Sequence, residues 1–353
     1  MKTEFQEIQT VAKLITSLII TLFVLVMLIG TAVGILYINP TFFSALVQTK
    51  ESAVVVNKVE KALSFWKAPD VSTISFNSAG DEIRYGRELI IHTAEYLGPK
   101  GKVLNISNGM NCQSCHLEAG TKLFGNNYSA VASTYPKFRA RSGSEETIEK
   151  RVNDCFERSL NGKPLEENSK EMKAIVAYIH WLGNGVPRGE VPKGAGLIEL
   201  PYLNRAADPI KGKLLYEEKC TVCHGNDGQG VINPNGNAWT YPPLWGKDSY
   251  NNGAGLFRLS RFAGYIKVNM PLGATHEVPL LTDEEAWDIA AYVNAMERPK
   301  MNISRDWPDI SKKPIDHPFG PFTDGFSEQE HKFGPYQPIV SKRREVSEKE
   351  IIK

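Results

Sequence analysis

Neither sign of charge dominates this chain of 353 residues. Lys plus Arg number 41 and Asp plus Glu 40, for a formal net charge of +1. That balance removes any global case for nucleic-acid binding or for a strongly acidic substrate and leaves function to local sites. Cysteine is scarce, with five residues in all. Four of them form two close pairs more than a hundred residues apart, each followed at once by its own histidine. A zinc site needs two such pairs converging on one metal, so this spacing speaks against one. A long uncharged run occurs once, from Leu14 to Thr49, with its apolar core at Leu14 to Ile38. The core is long enough to cross a bilayer as a helix. Small-x-small cleavage residues are missing after it, which favours an uncleaved anchor over a signal peptide. Flanking charge decides little about orientation, because Lys2 and Lys13 are offset by Glu4 and Glu7.

The cysteine pairs carry the strongest signal. Cys112-Gln113-Ser114-Cys115-His116 and Cys220-Thr221-Val222-Cys223-His224 are Cys-x-x-Cys-His segments, the attachment signal of c-type haem. The two thiols add to the haem vinyl groups, and the adjacent histidine supplies the proximal iron ligand. Two covalently bound haem c groups are expected. Their attachment takes place on the outer side of the cytoplasmic membrane. The chain therefore reads as a single-pass membrane protein with its N-terminus inside and its haem domains on the periplasmic side.

The haem segments lie in two copies of one domain. The first copy opens with Gly80 to Ile90 and closes with Met172 to Leu182. The second opens with Pro209 to Tyr216 and closes with Glu284 to Asn294. All four stretches have apolar residues at helical spacing. Thr282-Asp283-Glu284-Glu285 suits a helix N-terminus. An opening helix, Cys-x-x-Cys-His, a loop-rich middle and a closing aromatic helix resemble the class I cytochrome c fold. In that fold a small residue of the first helix packs on an aromatic of the last, as Gly86 with Tyr178 and Gly212 with Tyr292 would. The fold class is mainly α: two class I cytochrome c domains in tandem, preceded by one transmembrane helix. The expected boundaries are an anchor at 1–43, a spacer at 44–79, the first haem domain at 80–186, a Gly/Pro-rich linker at 187–205, the second haem domain at 206–298 and an extension at 299–353.

Such cytochromes usually take a Met as second iron ligand shortly before the closing helix. Met270 fills that place in the second copy. The first copy has no Met there; Cys155 stands at nearly the same distance ahead of Tyr178. This predicts His116 with Cys155 on the first iron and His224 with Met270 on the second. A thiolate lowers the iron reduction potential and a thioether raises it. A plain electron carrier needs no thiolate, so catalysis is expected at the first haem. Arg141, Arg151, Arg158 and Lys163 gather around Cys155, and Arg151 and Ser159 lie four residues to either side. In a helix these two would share a face with Cys155. Arginine binds oxyanions through paired donors. Interspersed Glu145, Glu146, Glu149 and Glu157 equally suit an ordinary solvated helix.

The text around these residues resembles the thiosulfate dehydrogenases that form tetrathionate with two haems. The matching segments are Gly109 to Leu117, Ala119-Gly120-Thr121, Tyr135-Pro136, Arg139, Arg141 and Ile148 to Gly162, with Asp154-Cys155-Phe156-Glu157-Arg158-Ser159 the most specific. Trp181-Leu182, Asp306-Trp307-Pro308 and Pro318-Phe319-Gly320-Pro321 also match, so the resemblance runs from about residue 80 to 340. It implies a substrate pocket beside the first haem. It makes Cys155 the catalytic, haem-ligating cysteine and Arg141, Arg151 and Ser159 the oxyanion contacts. Two thiosulfates would join as tetrathionate, reversibly, through an adduct on Cys155. Electrons would leave through the second haem to a c-type cytochrome or another periplasmic acceptor. Asn269 stands where some members place a Lys directly before the Met, and the membrane anchor is not a general family feature. Two alternatives stay open: a related cytochrome that conjugates thiosulfate to a carrier protein, and a membrane-tethered dihaem shuttle without catalysis.

Overall fold

The computed structural model describes residues 2–38 and 64–351. It divides into an N-terminal unit up to Ser64 and a second unit from Phe65 onward. Within the first, α1 spans Lys2–Ile38. Its stretch Ala12–Thr31 is long and apolar enough to cross a membrane. Leu18, Phe23 and Leu28 in this stretch are all more than half exposed. The expected spacer falls mostly on residues 39–63, outside the described residues.

The second unit contains both expected repeats. In the first, α2 (Ser78–Ile91) packs across a later helix at Lys170–Leu182. Between them lie β1 (Lys137–Arg139), β2 (Ser144–Glu146) and α3 (Ile148–Asp154). The strands pair antiparallel, with Lys137 opposite Glu146. The closing Lys170–Leu182 helix is α4. The second repeat follows the same plan: α5 (Pro209–Lys219), α6 (Leu259–Asn269) and α7 (Asp283–Ala295). The opening and closing helices are capped by side chains accepting from backbone N–H groups: Asn77 for α2, Ser169 for α4 and Asp208 for α5, where Pro209 also presets the first turn. Thr282 and Glu285 form the reciprocal capping box of α7 that their spacing predicts.

The opening and closing helices of each repeat cross at a glycine. A Cβ on Gly86 would lie 1.9 Å from the Ala174 carbonyl oxygen and 2.9 Å from Tyr178 Cβ. On Gly212 it would lie 1.8 Å from the Asp288 oxygen, one turn ahead of Tyr292. Apolar faces bury around these crossings: Leu89, Ile90, Ile175, Tyr178 and Leu182 in one core, Tyr216, Trp287, Ala290 and Val293 in the other. Two further helices, α8 (Glu328–Phe333) and α9 (Tyr336–Ile351), complete the second core through Phe333, Tyr336 and Ile339.

Candidate functional site

Each Cys-x-x-Cys-His segment is a tight turn that sets its histidine. In the first, His116 N–H donates to the Cys112 carbonyl at 2.9 Å, and Cys112 N–H donates to Thr93 Oγ1 at 2.9 Å. The His116 ring stacks on Tyr128 at 4.5 Å between centroids. Its Nδ1 lies 2.6 Å from the Asn126 carbonyl oxygen. A carbonyl only accepts, so Nδ1 carries the proton and Nε2 keeps its lone pair for a metal. Burial holds the ring neutral by lowering its pKa to about 4. His224 repeats the design, with Nδ1 3.0 Å from the Pro242 oxygen, and burial lowers its pKa as well.

A cavity of about 390 Å³ opens on Cys112, Cys115 and His116, and Cys155, Arg151 and Ser159 line the same space. Ile90, Val131, Ile175 and Ile179 supply apolar wall. A second cavity, about 440 Å³, is lined by Cys220, Cys223, His224 and Met270. Both volumes lie in the range of ligand and cofactor sites. Asn111 and Cys115 line both cavities, so the two sites adjoin. All five cysteines are free, and no three-ligand metal cluster occurs among the described residues. Burial pushes the Cys112 and Cys115 thiols up to about 12, so neither is a ready thiolate for a bare metal ion. Paired free thiols, an imidazole with Nε2 available and an apolar cavity fit a covalently held haem at each segment.

Cys155 begins an unusual turn. The α-helical bonds of α3 stop at Asp154, and Cys155–Ser159 forms one π-helical turn closed by Leu160 N–H on the Cys155 carbonyl at 2.9 Å. In a regular α-helix Arg151, Cys155 and Ser159 would share one face. The wider turn still leaves Arg151, Cys155 and Ser159 on one cavity. Arg151 Nη1 donates to Cys155 Sγ at 3.3 Å. The sulfur is the main cause that raises the pKa of the Arg151 guanidinium, against burial.

Arg141 sits apart from this group. It does not line the cavity but pairs with Asp154, whose side chain is 2% exposed. Lys150 Nζ lies 2.5 Å from the other Asp154 oxygen. Burial pushes the Asp154 carboxyl up, yet Arg141 and Lys150 outweigh it and hold it below its usual range. Arg158, predicted nearby, grips Asp306 through two bonds at 2.7 and 2.8 Å. These pairs fix the backbone on both sides of Cys155. Lys137 and Arg261 also line the cavity. Sequence reasoning gives neither a role, because Arg261 belongs to the second repeat and no linear pattern joins it to Cys155.

Residues 103–187 match the family described as SoxA/TsdA, cytochrome c domain, and residues 210–297 match cytochrome c. The chain is 40% identical over 246 residues to the thiosulfate dehydrogenase of Psychrobacter arcticus, covering 69% of this chain and 72% of that one. It is 38% identical over 237 residues to that of Stutzerimonas stutzeri, covering 67% and 74%. Its fold is similar to the solved thiosulfate dehydrogenase (TsdBA) of Marichromatium purpuratum in the as-isolated form, at TM-score 0.63 and 33% identity. That likeness covers 68% of this chain and 51% of the other, so the chain spans about half of that structure. Two cytochrome c domains in tandem and relatives that match along two-thirds of the chain make this protein a member of the thiosulfate dehydrogenase family of oxidoreductases.

Proposed function

We propose that this protein joins two thiosulfates into tetrathionate at the Cys155 cavity. The observation that carries the reading is the Arg151–Cys155 contact inside the cavity of the first Cys-x-x-Cys-His segment. The overall step forms one sulfur–sulfur bond between two sulfane sulfurs and releases two electrons. Haem held at the two segments supplies the electron sink. Cys155 Sγ, as thiolate, bonds the sulfane sulfur of the first thiosulfate, and it is in this step that the two electrons are released. The second thiosulfate then attacks that sulfane sulfur; the new sulfur–sulfur bond forms as the bond to Sγ breaks, and Cys155 departs as thiolate. Arg151 offsets the charge of the first sulfonate, and the Ser159 hydroxyl donates to it. Arg141 acts through Asp154, holding the helix end from which Cys155 projects. The exchange step runs either way, so tetrathionate reduction belongs to the same site. Purified protein given thiosulfate and an artificial electron acceptor should produce tetrathionate; acceptor reduction without tetrathionate would sink the proposal.

His116 with Cys155, and His224 with Met270, are the proposed iron ligand pairs. Met270 lines the second cavity with His224, which supports the second pair. Met270→Ala should remove the long-wavelength absorption band typical of Met–haem ligation and leave the first haem's spectrum intact. Survival of that band in the variant disproves the Met270 assignment.

We further propose that α1 anchors the protein, with the haem domains on the periplasmic side and a c-type cytochrome or similar acceptor as partner. N-terminal sequencing of the membrane-bound protein should find the segment Leu14–Ile38 still attached. A first residue beyond Ile38 would identify a cleaved leader instead.

A further inference from the structure

The π-turn that presents Cys155 is not held by its own segment alone. A helix end leaves its last carbonyls without intrahelical donors, and a buried carbonyl must find one elsewhere. Within the turn, the Cys155 carbonyl takes Leu160 N–H at 2.9 Å and the Phe156 carbonyl takes Gly162 N–H at 2.8 Å. The next two carbonyls are satisfied from the second repeat, both by Asn251. Its side-chain Nδ2 donates to the Glu157 oxygen at 2.8 Å, and its backbone N–H donates to the Arg158 oxygen at 3.0 Å. Nδ2 also donates to Asn161 Oδ1 at 3.0 Å. Gly253 N–H donates to Asn251 Oδ1 at 3.0 Å, which fixes the orientation of the amide. Asn251 is 1% exposed and lines neither cavity.

The loop around Asn251 leads into α6 and grips a second part of the first haem domain. The Asp248 and Ser249 carbonyls accept from Asn108 Nδ2 at 2.9 and 3.3 Å, and Asn108 N–H donates to the Leu160 carbonyl at 3.0 Å. We infer that Asn251 of the second repeat is a positioning residue for Cys155, holding open the π-turn from which the cysteine reaches its cavity. This rests on the functional reading above. Arg151 lies ahead of the turn and Ser159 at its end, so the width of the turn sets how the two groups flank Cys155. A regular α-helical turn would bond the Cys155 carbonyl to Ser159 N–H in place of Leu160 N–H and rotate Ser159 relative to the sulfur. Asn251 bonds two successive carbonyls on the far side of the wider turn. Tightening the turn breaks those bonds and leaves buried polar groups unpaired.

Asn251→Ala removes the side-chain bonds and keeps the backbone one. In haem-loaded protein, hydrogen exchange of the backbone from Cys155 to Gly162 should speed about tenfold or more, the change expected when a buried carbonyl loses its donor. The kcat for thiosulfate oxidation should fall about tenfold or more, because a small displacement of a reacting group is costly. Any thiolate-type magnetic resonance signal of the first haem should shift, with the second haem's spectrum unchanged. Asn251→Ser keeps a hydroxyl for Gly253 N–H but is too short to reach Glu157. It should behave as Asn251→Ala does and takes its place where the alanine protein folds poorly. Thr282→Ala is the control, since it removes the N-terminal cap of α7 in the same repeat. It should lower the thermal midpoint by about 2–4 °C and leave both kcat and exchange over 155–162 at wild-type values. Unchanged exchange in the Asn251 variants overturns the proposal by itself. Faster exchange with wild-type kcat overturns it too, because the width of the turn would then not matter to Cys155. Equal losses in Thr282→Ala would assign the effect to general destabilisation and remove Asn251 from the site. Wild-type protein that forms no tetrathionate overturns the functional reading instead; the first haem's signal then replaces kcat as the readout, and an unaltered signal in the Asn251 variants rejects the positioning role.

Discussion

Cys155→Gly protein should carry both haems and oxidise no measurable thiosulfate. Cys112, Cys115, Cys220 and Cys223 remain, and each pair keeps its histidine, so attachment is untouched. The loss follows from chemistry. Without Sγ no group in the cavity can hold the first sulfane sulfur, and Arg151 loses the partner 3.3 Å away. Removing a nucleophile from a covalent mechanism costs several orders of magnitude in kcat, on the order of 10⁴-fold or more. Cys155→Met separates ligation from nucleophilicity, because a thioether can bind iron but forms no adduct with thiosulfate. Its tetrathionate formation should be as low as that of the glycine variant. Near wild-type formation in Cys155→Met would reduce Cys155 to a ligand that tunes the haem. Intact mass of the tetrathionate-treated variants provides the matching structural readout, with no adduct expected on either.

Gly212→Ala should be the most damaging small change in the second repeat. Its Cβ would stand 1.8 Å from the Asp288 carbonyl oxygen and 2.5 Å from the carbonyl carbon. Those atoms are backbone, so no rotamer change removes the clash. Asp288 cannot give way easily either. Its carboxylate takes two bonds from Arg205, at 2.8 and 2.9 Å, and one from Asp208 N–H at 2.7 Å. The helices α5 and α7 must therefore separate, at a cost of about 3 kcal/mol or more. Thermal unfolding of the haem-loaded protein should show a midpoint lower by at least about 5 °C. Gly255→Ala is the control, since no atom lies within 4 Å of its Cβ position. It should stay within about 0.5 kcal/mol of wild type. Equal midpoints for Gly212→Ala and Gly255→Ala would show that the crossing has room the structure does not indicate.

Much of this architecture is legible in the sequence because it is written in contiguous residues. Cys-x-x-Cys-His is a local motif, and five residues suffice to mark each haem site. Helix periodicity reads equally locally, so the opening and closing helices of both repeats lie where their apolar spacing puts them. The repeat itself turns one such reading into another. Gly86 and Gly212 hold corresponding places, and a Cβ added at either would lie under 2 Å from a closing-helix carbonyl oxygen. The same correspondence singles out Cys155 opposite Met270.

What the sequence could not supply depends on contacts between distant segments. Arg141 and Arg151 look alike as neighbours of Cys155, yet only Arg151 reaches the cavity, while Asp154 captures Arg141. A charge has no partner until the chain has folded, so linear spacing cannot rank these two. The π-turn at Cys155 is a further case: helix spacing cannot signal a single widened turn, which is set by how the backbone on either side is held. Arg261 is the clearest example. It is more than a hundred residues from Cys155 and reaches that cavity only because α6 of the second repeat packs against the first. The sequence by itself determined two haem sites, their order and the cysteine between them. Only the tertiary structure decided which charges face that cysteine, because electrostatic contact depends on distance through space and not along the chain.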